Sequence, residues 1–171
     1  MPKWKDWFII DADTSVVLNK IQSGKKNLSR HNPDASLQSD QGNPITIIML
    51  KFVYCVRRHP NITPEAFKKY WLESHGPLVR SFAKALRARK YVQSHTLDTP
   101  LNAAAQAPRG TKPPYDGITE LWWDSADDLI AALSSPEGQE ANKVLATDEA
   151  RFCDLPNCSV FFTEEHTIFE H

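Results

Sequence analysis

Several features are scarce in this sequence, and each scarcity excludes a class of protein. No apolar stretch approaches the roughly 20 residues that span a bilayer, so we expect no membrane contact. The three cysteines lack the spacing of a metal knuckle, which is typical of thiols kept reduced in the cytoplasm. Twenty basic against 21 acidic side chains leave a formal charge of -1, so nucleic acid is not an expected partner. We therefore expect a cytoplasmic protein without disulfides.

Motifs for common cofactors and catalytic centres are also missing. The chain contains no G-x-G-x-x-G, P-loop, H-E-x-x-H, G-x-S-x-G or C-x-x-C pattern. Nucleotide binding, zinc proteolysis and serine hydrolase chemistry consequently lose their support. We predict that the protein uses no metal and no cofactor, and that its partners are a small molecule and a second copy of itself.

The length of 171 residues suits one domain with a hydrophobic core. Residues 20–44 are rich in polar residues and poor in large aliphatic ones, which is typical of a linker or a disordered arm. We predict a partly disordered N-terminal extension over residues 1–44, with a short aromatic segment near its start, and a folded domain over residues 45–171. Met49 is an alternative start of translation.

The order of the predicted elements is β-α-β-β-α-β. Strands are expected at 45–58, 91–98, 117–124 and 159–169, and helices after the caps Thr63 and Ser125, with a second segment from Pro136. The stretch 99–115 is predicted to be a long loop that closes over a ligand. This order indicates a ferredoxin-like α+β fold, a four-stranded antiparallel sheet with helices on one face. The other sheet face is predicted to be apolar and to form a homodimer.

His75 is the leading candidate for chemistry. It lies on the apolar stripe of the first long helix and precedes Gly76 and Pro77, and a proline there should kink or restart the helix. A restart would aim free N–H groups at the imidazole, lower its pKa and keep it neutral, as a general base requires. The alternative is a core histidine bonded to a backbone carbonyl.

Further side chains are expected around the same pocket. Tyr91 and His95 share a strand face and are candidate catalytic residues. The candidate substrate-binding residues are Tyr54, Trp71, Glu120, Trp122 and Phe152. A carboxylate from Glu120 or Glu164 would orient a neighbouring histidine, and Glu164 alternates with His166 on the predicted last strand. The aromatic residues are equally compatible with an ordinary core.

Three segments together resemble a known family. FVYCVRRHPNITPEAFKKYWLESHGPLV, YDGITELWWDS and ALSSPEGQEANKVLATDEARFCDLPNCSVFFTEEH are similar to the EthD family of dimeric α+β barrel proteins, over about residues 48 to 169. The resemblance implies a ferredoxin-like fold and a dimer. The family's H-x-P histidine corresponds to His75, and Gly76 replaces an expected alanine.

Two classes of function fit these observations. The first is a metal- and nucleotide-free enzyme, a lyase or isomerase that abstracts a proton from a small apolar carbonyl or aromatic compound, with His75 as base and Tyr91 or His95 as donor to the enolate oxygen. A cofactor-independent oxygenase, an oxidoreductase, would use the same base. The second class is a non-catalytic carrier or accessory protein of a degradation pathway. Haem binding is a third, more distant reading.

Overall fold

Four strands and the helices between them make up the part of the chain that this computed structural model describes, residues 49–170. The strands are β1 (Leu50–Val56), β2 (Lys90–His95), β3 (Gly117–Trp123) and β4 (Ser159–Thr163). The helices are α1 (Pro64–Tyr70), α2 (Gly76–Ser81), α3 (Ala83–Leu86), α4 (Pro100–Gln106), α5 (Ala126–Ser134) and α6 (Pro136–Phe152). The predicted extension, its aromatic segment and the boundary at residue 45 lie outside the described residues.

The strands form one antiparallel sheet in the order β2-β3-β1-β4. The strand richest in β-branched and aromatic residues, β1, lies inside the sheet, with Tyr54 opposite Thr119 on one side and Val160 on the other. This order with helical crossovers is the ferredoxin-like arrangement, and the predicted α+β fold class is confirmed. None of the helices within residues 49–170 is long and apolar enough to cross a membrane.

Side-chain caps and prolines begin the helices. The Thr63 hydroxyl accepts a hydrogen bond from the Ala66 N–H, and the Ser125 hydroxyl accepts one from Asp128. Ser135 caps α6 by accepting from Gly138, with Pro136 at the first helical position, where a missing N–H costs nothing. These helix starts agree with the sequence prediction.

The two faces of the sheet differ in what covers them. The helices pack on the face that carries Gly117 and Trp123; the Trp123 indole donates to the Leu86 carbonyl at 2.7 Å. Successive residues of a strand alternate between faces, so Trp122 lies on the opposite, open face. Lys51 and Lys90 lie over the Trp122 ring there, 4.9 and 4.5 Å from its centroid.

The open face is therefore less apolar than predicted. Lys51 also forms an ion pair with Glu120, and the Trp122 indole donates to Glu165 at 2.8 Å. Exposed apolar side chains occur on the same face beside these polar residues, at Ile118 and Phe161.

The prediction of a long loop over residues 99–115 is wrong in part. Thr99 caps a helix, α4, and a 3-10 turn, Ala107–Arg109, follows it. A capping threonine before a proline, followed by three consecutive alanines, favours a helix over open loop. The proline-rich remainder, residues 111–115, has no regular structure.

The last strand is shorter than predicted. It ends at Thr163, so Glu164 and His166 do not alternate on a strand, and both side chains are exposed. Glu165 instead turns towards Lys51 and Trp122, which hold its carboxylate at 3.0 and 2.8 Å.

Gly117 of β3 packs closely against the side chain of Trp71, which lies between α1 and α2. A Cβ atom there would lie 2.4 Å from Trp71 Cζ3 and 2.7 Å from the Ser94 carbonyl oxygen. We predict that Gly117→Ala lowers the free energy of unfolding by about 1–3 kcal/mol, because neither group has room to move. Chemical denaturation measures this.

Gly76→Ala is the matched control for that experiment. The nearest atom to its added Cβ is Gln93 Nε2 at 3.4 Å, an ordinary contact, and alanine favours a helix by up to about 1 kcal/mol. This variant should be at least as stable as the original chain. Equal losses of stability in the two variants would contradict the packing described here.

Candidate active site

His75 ends a π-helical turn, Trp71–His75, that connects α1 directly to α2. The Gly76 N–H bonds to the Trp71 carbonyl, one residue further back than in an α-helix, and Pro77 follows with no N–H to donate. The backbone at His75 stays in the right-handed helical region. The predicted break thus takes the form of a widened turn, and the predicted restart with free N–H groups is wrong. Such π-turns occur often at functional sites.

The partner of His75 is Asp148, on α6. The distance from His75 Nδ1 to Asp148 Oδ2 is 2.9 Å, and both side chains are at most 10% exposed. The other carboxylate oxygen accepts a hydrogen bond from the Tyr70 hydroxyl at 2.6 Å, and the Arg151 guanidinium lies 3.7 Å from it. Asp148 therefore connects α6 to α1 and the π-turn through two donors, while Arg151 is a cation of the same helix, α6.

The environment of His75 favours the neutral imidazole. The residue is 4% exposed, and its ring packs against Phe152 with 5.1 Å between centroids. Burial lowers the pKa of His75, and the hydrogen bond and charge of Asp148 oppose that shift only in part. The direction agrees with the sequence prediction, but the cause is desolvation and not a helix dipole.

The two ring nitrogens of His75 differ in their contacts. Within residues 49–170 no group forms a hydrogen bond with Nε2. Because Asp148 accepts from Nδ1–H, the neutral ring carries its lone pair on Nε2. An imidazole held in this way can take a proton at Nε2 while the carboxylate stabilises the resulting cation.

A polar network on β2 faces the same helices. The Trp71 ring stacks on His95 with 4.5 Å between centroids, and Gln93 Nε2 donates to the Trp71 carbonyl at 2.9 Å. Gln93 also donates to the Tyr91 hydroxyl and contacts His95 Nε2 at 3.0 Å. Burial raises the pKa of Tyr91 to about 12, so its hydroxyl stays protonated. His95 and Tyr91 are thus tied together by Gln93.

Two further polar groups lie between α6 and the sheet. The Tyr54 hydroxyl is buried and makes no hydrogen bond of normal geometry within the described residues, although Cys153 and Cys158 lie beside it. Burial raises the pKa of Glu149 to about 8, with smaller contributions from Cys158 and Asp148. None of the described residues donates a hydrogen bond to the Glu149 carboxylate. The charge of Glu149 also contributes to the raised pKa values of Tyr54 and Tyr91, in both cases less than burial does.

The other predicted binding residues divide between the two faces of the sheet. Trp71 and Phe152 lie on the helical side, beside His75, and both are buried. Glu120 and Trp122 do not belong to this group, because they lie on the open face with Lys51. Their period-two spacing was correct, but the sequence alone did not show which face the helices cover.

A cavity of about 430 Å³ lies at the β2 edge of the sheet, beneath α2 and α3. Tyr91 and Gln93 form part of its wall, together with apolar side chains and the cations Arg80, Arg89 and Lys90. His75 does not line this cavity, since the π-turn directs its ring towards α6.

The comparisons with known proteins identify the family. Residues 59–156, more than half of the chain, match the family model for the EthD domain. The chain belongs to the EthD family. The resemblance inferred from the sequence is thereby confirmed, and both His75 and Asp148 lie inside the matched region of this EthD protein.

Solved structures are similar to the EthD chain at low identity. An EthD family protein from Bacillus halodurans has 21% identity and a TM-score of 0.47 over 70% of this chain and 100% of its own. SnoaB, a cofactor-independent oxygenase from Streptomyces nogalater, has 14% identity and a TM-score of 0.45 over 72% and 99%. A hydroxynitrile lyase from Passiflora edulis has 11% identity and a TM-score of 0.48 over 72% and 99%. None of the curated proteins matches the chain.

The sequence patterns did not point to Asp148 or Glu149 as parts of the candidate site. Both belong to the segment DEARF, whose resemblance to the family was noted without a role for either acid. A helical wheel of α6 would have placed Asp148 and Phe152, four residues apart, on one face with Leu145. No group of three or more potential metal ligands occurs within residues 49–170.

The raised pKa of Glu149 makes the stability of the protein depend on pH. Between about 4.5 and 8 the unfolded chain has released this proton and the folded chain retains it. Stability should therefore fall as pH rises through this window, by at most about 1.4 kcal/mol per pH unit. We predict that Glu149→Gln removes this slope and gains stability over the original chain as pH approaches 8. Denaturant unfolding at several pH values measures it.

Glu140→Gln is the matched control, because Glu140 is an exposed glutamate on the same helix. It should keep the slope of the original chain. A slope that persists unchanged in Glu149→Gln would show that the Glu149 carboxyl ionises at its ordinary pKa.

Proposed function

We propose that this protein is an enzyme that abstracts a proton from a small, largely apolar carbonyl or aromatic compound, with His75 as the general base. The observation that supports this proposal most directly is the buried hydrogen bond of 2.9 Å between His75 Nδ1 and Asp148 Oδ2. The bond fixes the ring and its tautomer, and burial keeps the imidazole neutral and able to accept a proton. Isomerisation, dehydration and cyclisation can all begin with such a step, whereas in a decarboxylation the same base would take an O–H proton of the substrate before the C–C bond to CO2 breaks.

The negative charge formed on the substrate oxygen needs a donor. Tyr91 suits this role better than His95, because its phenol stays protonated and is held by Gln93, whereas the His95 ring is stacked on Trp71. A fixed donor in a site shielded from water is worth more than the same donor in solvent. Glu149, whose pKa burial raises to about 8, is a second candidate donor.

The aromatic residues suit a flat ligand. Trp71 and Phe152 contact the rings of His95 and His75, and the buried Tyr54 hydroxyl lacks a partner within the described residues. Aromatic walls with a few directed polar groups are the usual lining of a small-molecule site. We propose that the substrate is an aromatic or fused-ring carbonyl compound with an acidic C–H.

Proton abstraction can be tested without knowing the full reaction. In D₂O, the protein should exchange the acidic C–H of a flat 1,3-dicarbonyl or fused-ring ketone, followed by NMR across a panel. His75→Asn should reduce the exchange rate by roughly 10²-fold or more with little change in KM, because the base and not the binding surface is lost. His166→Asn, which replaces an exposed histidine, should exchange at the original rate.

The pH profile adds a readout specific to the pair. The exchange rate should decrease on the acidic side of the His75 pKa, which lies under 6.5, because the protonated ring cannot act as a base. Asp148→Asn should shift this decrease to a still lower pH, because Asp148 raises the pKa of His75. Ligand binding that survives in His75→Asn, without exchange in the original chain, would indicate a carrier instead. Oxygen consumption that depends on His75 would indicate cofactor-independent oxygenation by the same base.

We also propose that two copies associate through the open sheet face. Phe161 pairs with Val53 across β4 and β1, and Ile118 lies nearby; Phe161 and Ile118 are 46% and 37% exposed. Exposed apolar side chains grouped on one sheet face are typical of a protein interface.

We predict that Phe161→Lys converts a dimer into a monomer, because a charged side chain would be buried against its counterpart. Light scattering coupled to gel filtration measures the mass. Leu101→Lys introduces the same charge at an exposed leucine of α4 and should remain dimeric. A monomeric original chain, or a dimer that persists in Phe161→Lys, would overturn this assembly.

A further inference from the structure

Two of the three cysteines lie together where α6 turns into β4. Cys153 follows the last residue of α6 and is 3% exposed. Cys158 directly precedes β4 and is half-buried, and the 3-10 turn Leu155–Asn157 connects the two. This cluster is separate from the His75–Asp148 pair, and the proposed reaction makes no use of it.

Backbone contacts bring both cysteines to the same short segment, Arg57–Arg58. Cys153 forms a β-bridge with Arg58, and the Asp154 N–H donates to the Arg57 carbonyl at 2.8 Å. Cys158 folds back over this segment, with its Sγ 3.2 Å from the Arg57 N–H and 3.3 Å from the Asp154 carbonyl. The Cys158 sulfur therefore lies against the carbonyl of Asp154, the residue that follows Cys153.

The surroundings make the two thiols unequal. The Cys153 thiol and the Arg57 N–H both donate towards the Cys158 sulfur, and together they lower the pKa of Cys158 to about 7 against the opposing effect of burial. The same hydrogen bond and burial raise the pKa of Cys153 far above its usual range. Cys158 therefore ionises more readily than an ordinary cysteine, whereas Cys153 stays protonated.

We propose that Cys153 and Cys158 are a redox-active pair that a hydroperoxide oxidises to a disulfide. The Cys158 thiolate attacks the hydroperoxide, the O–O bond breaks, and the released alkoxide or hydroxide takes up a proton. The resulting sulfenic acid is attacked by the Cys153 sulfur. An S–S bond forms, and hydroxide leaves and takes the Cys153 proton as water. The two thiols lose two electrons, and the hydroperoxide gains them.

The remaining cysteine provides an internal comparison. Cys55 lies on the open face of the sheet, opposite Ile118. Burial raises the pKa of Cys55, with a smaller contribution from Cys158. Cys55 should therefore remain a thiol under conditions that oxidise the pair, because the thiolate is the reactive form.

The test exposes the full chain at pH 7 to a small excess of hydrogen peroxide. The thiol count should fall from three to one, the intact mass should drop by two hydrogens, and a reductant should restore both. Peptide mapping should locate the bond between Cys153 and Cys158. Cys55→Ser should behave like the original chain apart from its missing thiol.

Variants separate the roles of the two sulfurs. Cys153→Ser should stop at the sulfenic acid, which dimedone traps on residue 158, whereas Cys158→Ser should react slowly with peroxide. Circular dichroism checks that both variants fold. The oxidation of the original chain tests the proposal even where a variant fails to fold. Preferential oxidation of Cys55, a gain of oxygen without a disulfide, or alkylation of Cys158 no faster than of Cys55 would overturn the proposal.

Discussion

The packing of the π-turn against α6 depends on the hydrogen bond between His75 and Asp148. It connects the π-turn to the longest described helix and is shielded by Phe152, so neither side chain can reach bulk water easily. A buried carboxylate without a partner would cost several kcal/mol, which makes the imidazole and the Tyr70 hydroxyl necessary for the packing of these helices. The same contact that stabilises the helical layer therefore sets the tautomer of the proposed base.

The interior beneath α6 combines several polar groups that burial keeps in their neutral forms. Glu149, Tyr54 and Tyr91 all have pKa values raised by desolvation, while the pKa of His75 is lowered by the same cause. Protonated acids and a neutral imidazole can therefore coexist in this protein near pH 7. A site that transfers protons needs a base that accepts a proton and an acid that donates one, and the described residues include both kinds of group.

Much of the fold followed from local patterns. Period-two apolar residues indicated β1 and β3, and Thr63 and Ser125 marked helix starts, because capping and alternation depend on neighbouring residues alone. His75 was identified from Pro77, whose missing N–H has a local effect on the helix. The helix α4 was missed because a proline-rich segment with alanines is ambiguous between loop and helix.

The site beyond His75 could not be deduced in the same way. Asp148 lies 73 positions away in the chain, and only the packing of α6 against the π-turn brings it within 2.9 Å. Glu120 and Trp122 were grouped with His75 because alternation fixes which residues share a face, and it does not tell which face the helices cover. Tertiary packing decides such questions, and the sequence of one strand contains no record of it.

The most direct measurement of the central claim is the tautomeric state of His75. A ¹⁵N spectrum of histidine-labelled protein at neutral pH, assigned by comparison with His75→Asn, distinguishes the two ring nitrogens. The account predicts a protonated Nδ1 bonded to Asp148 and a bare Nε2. A proton on Nε2, or a cationic ring at that pH, would contradict it.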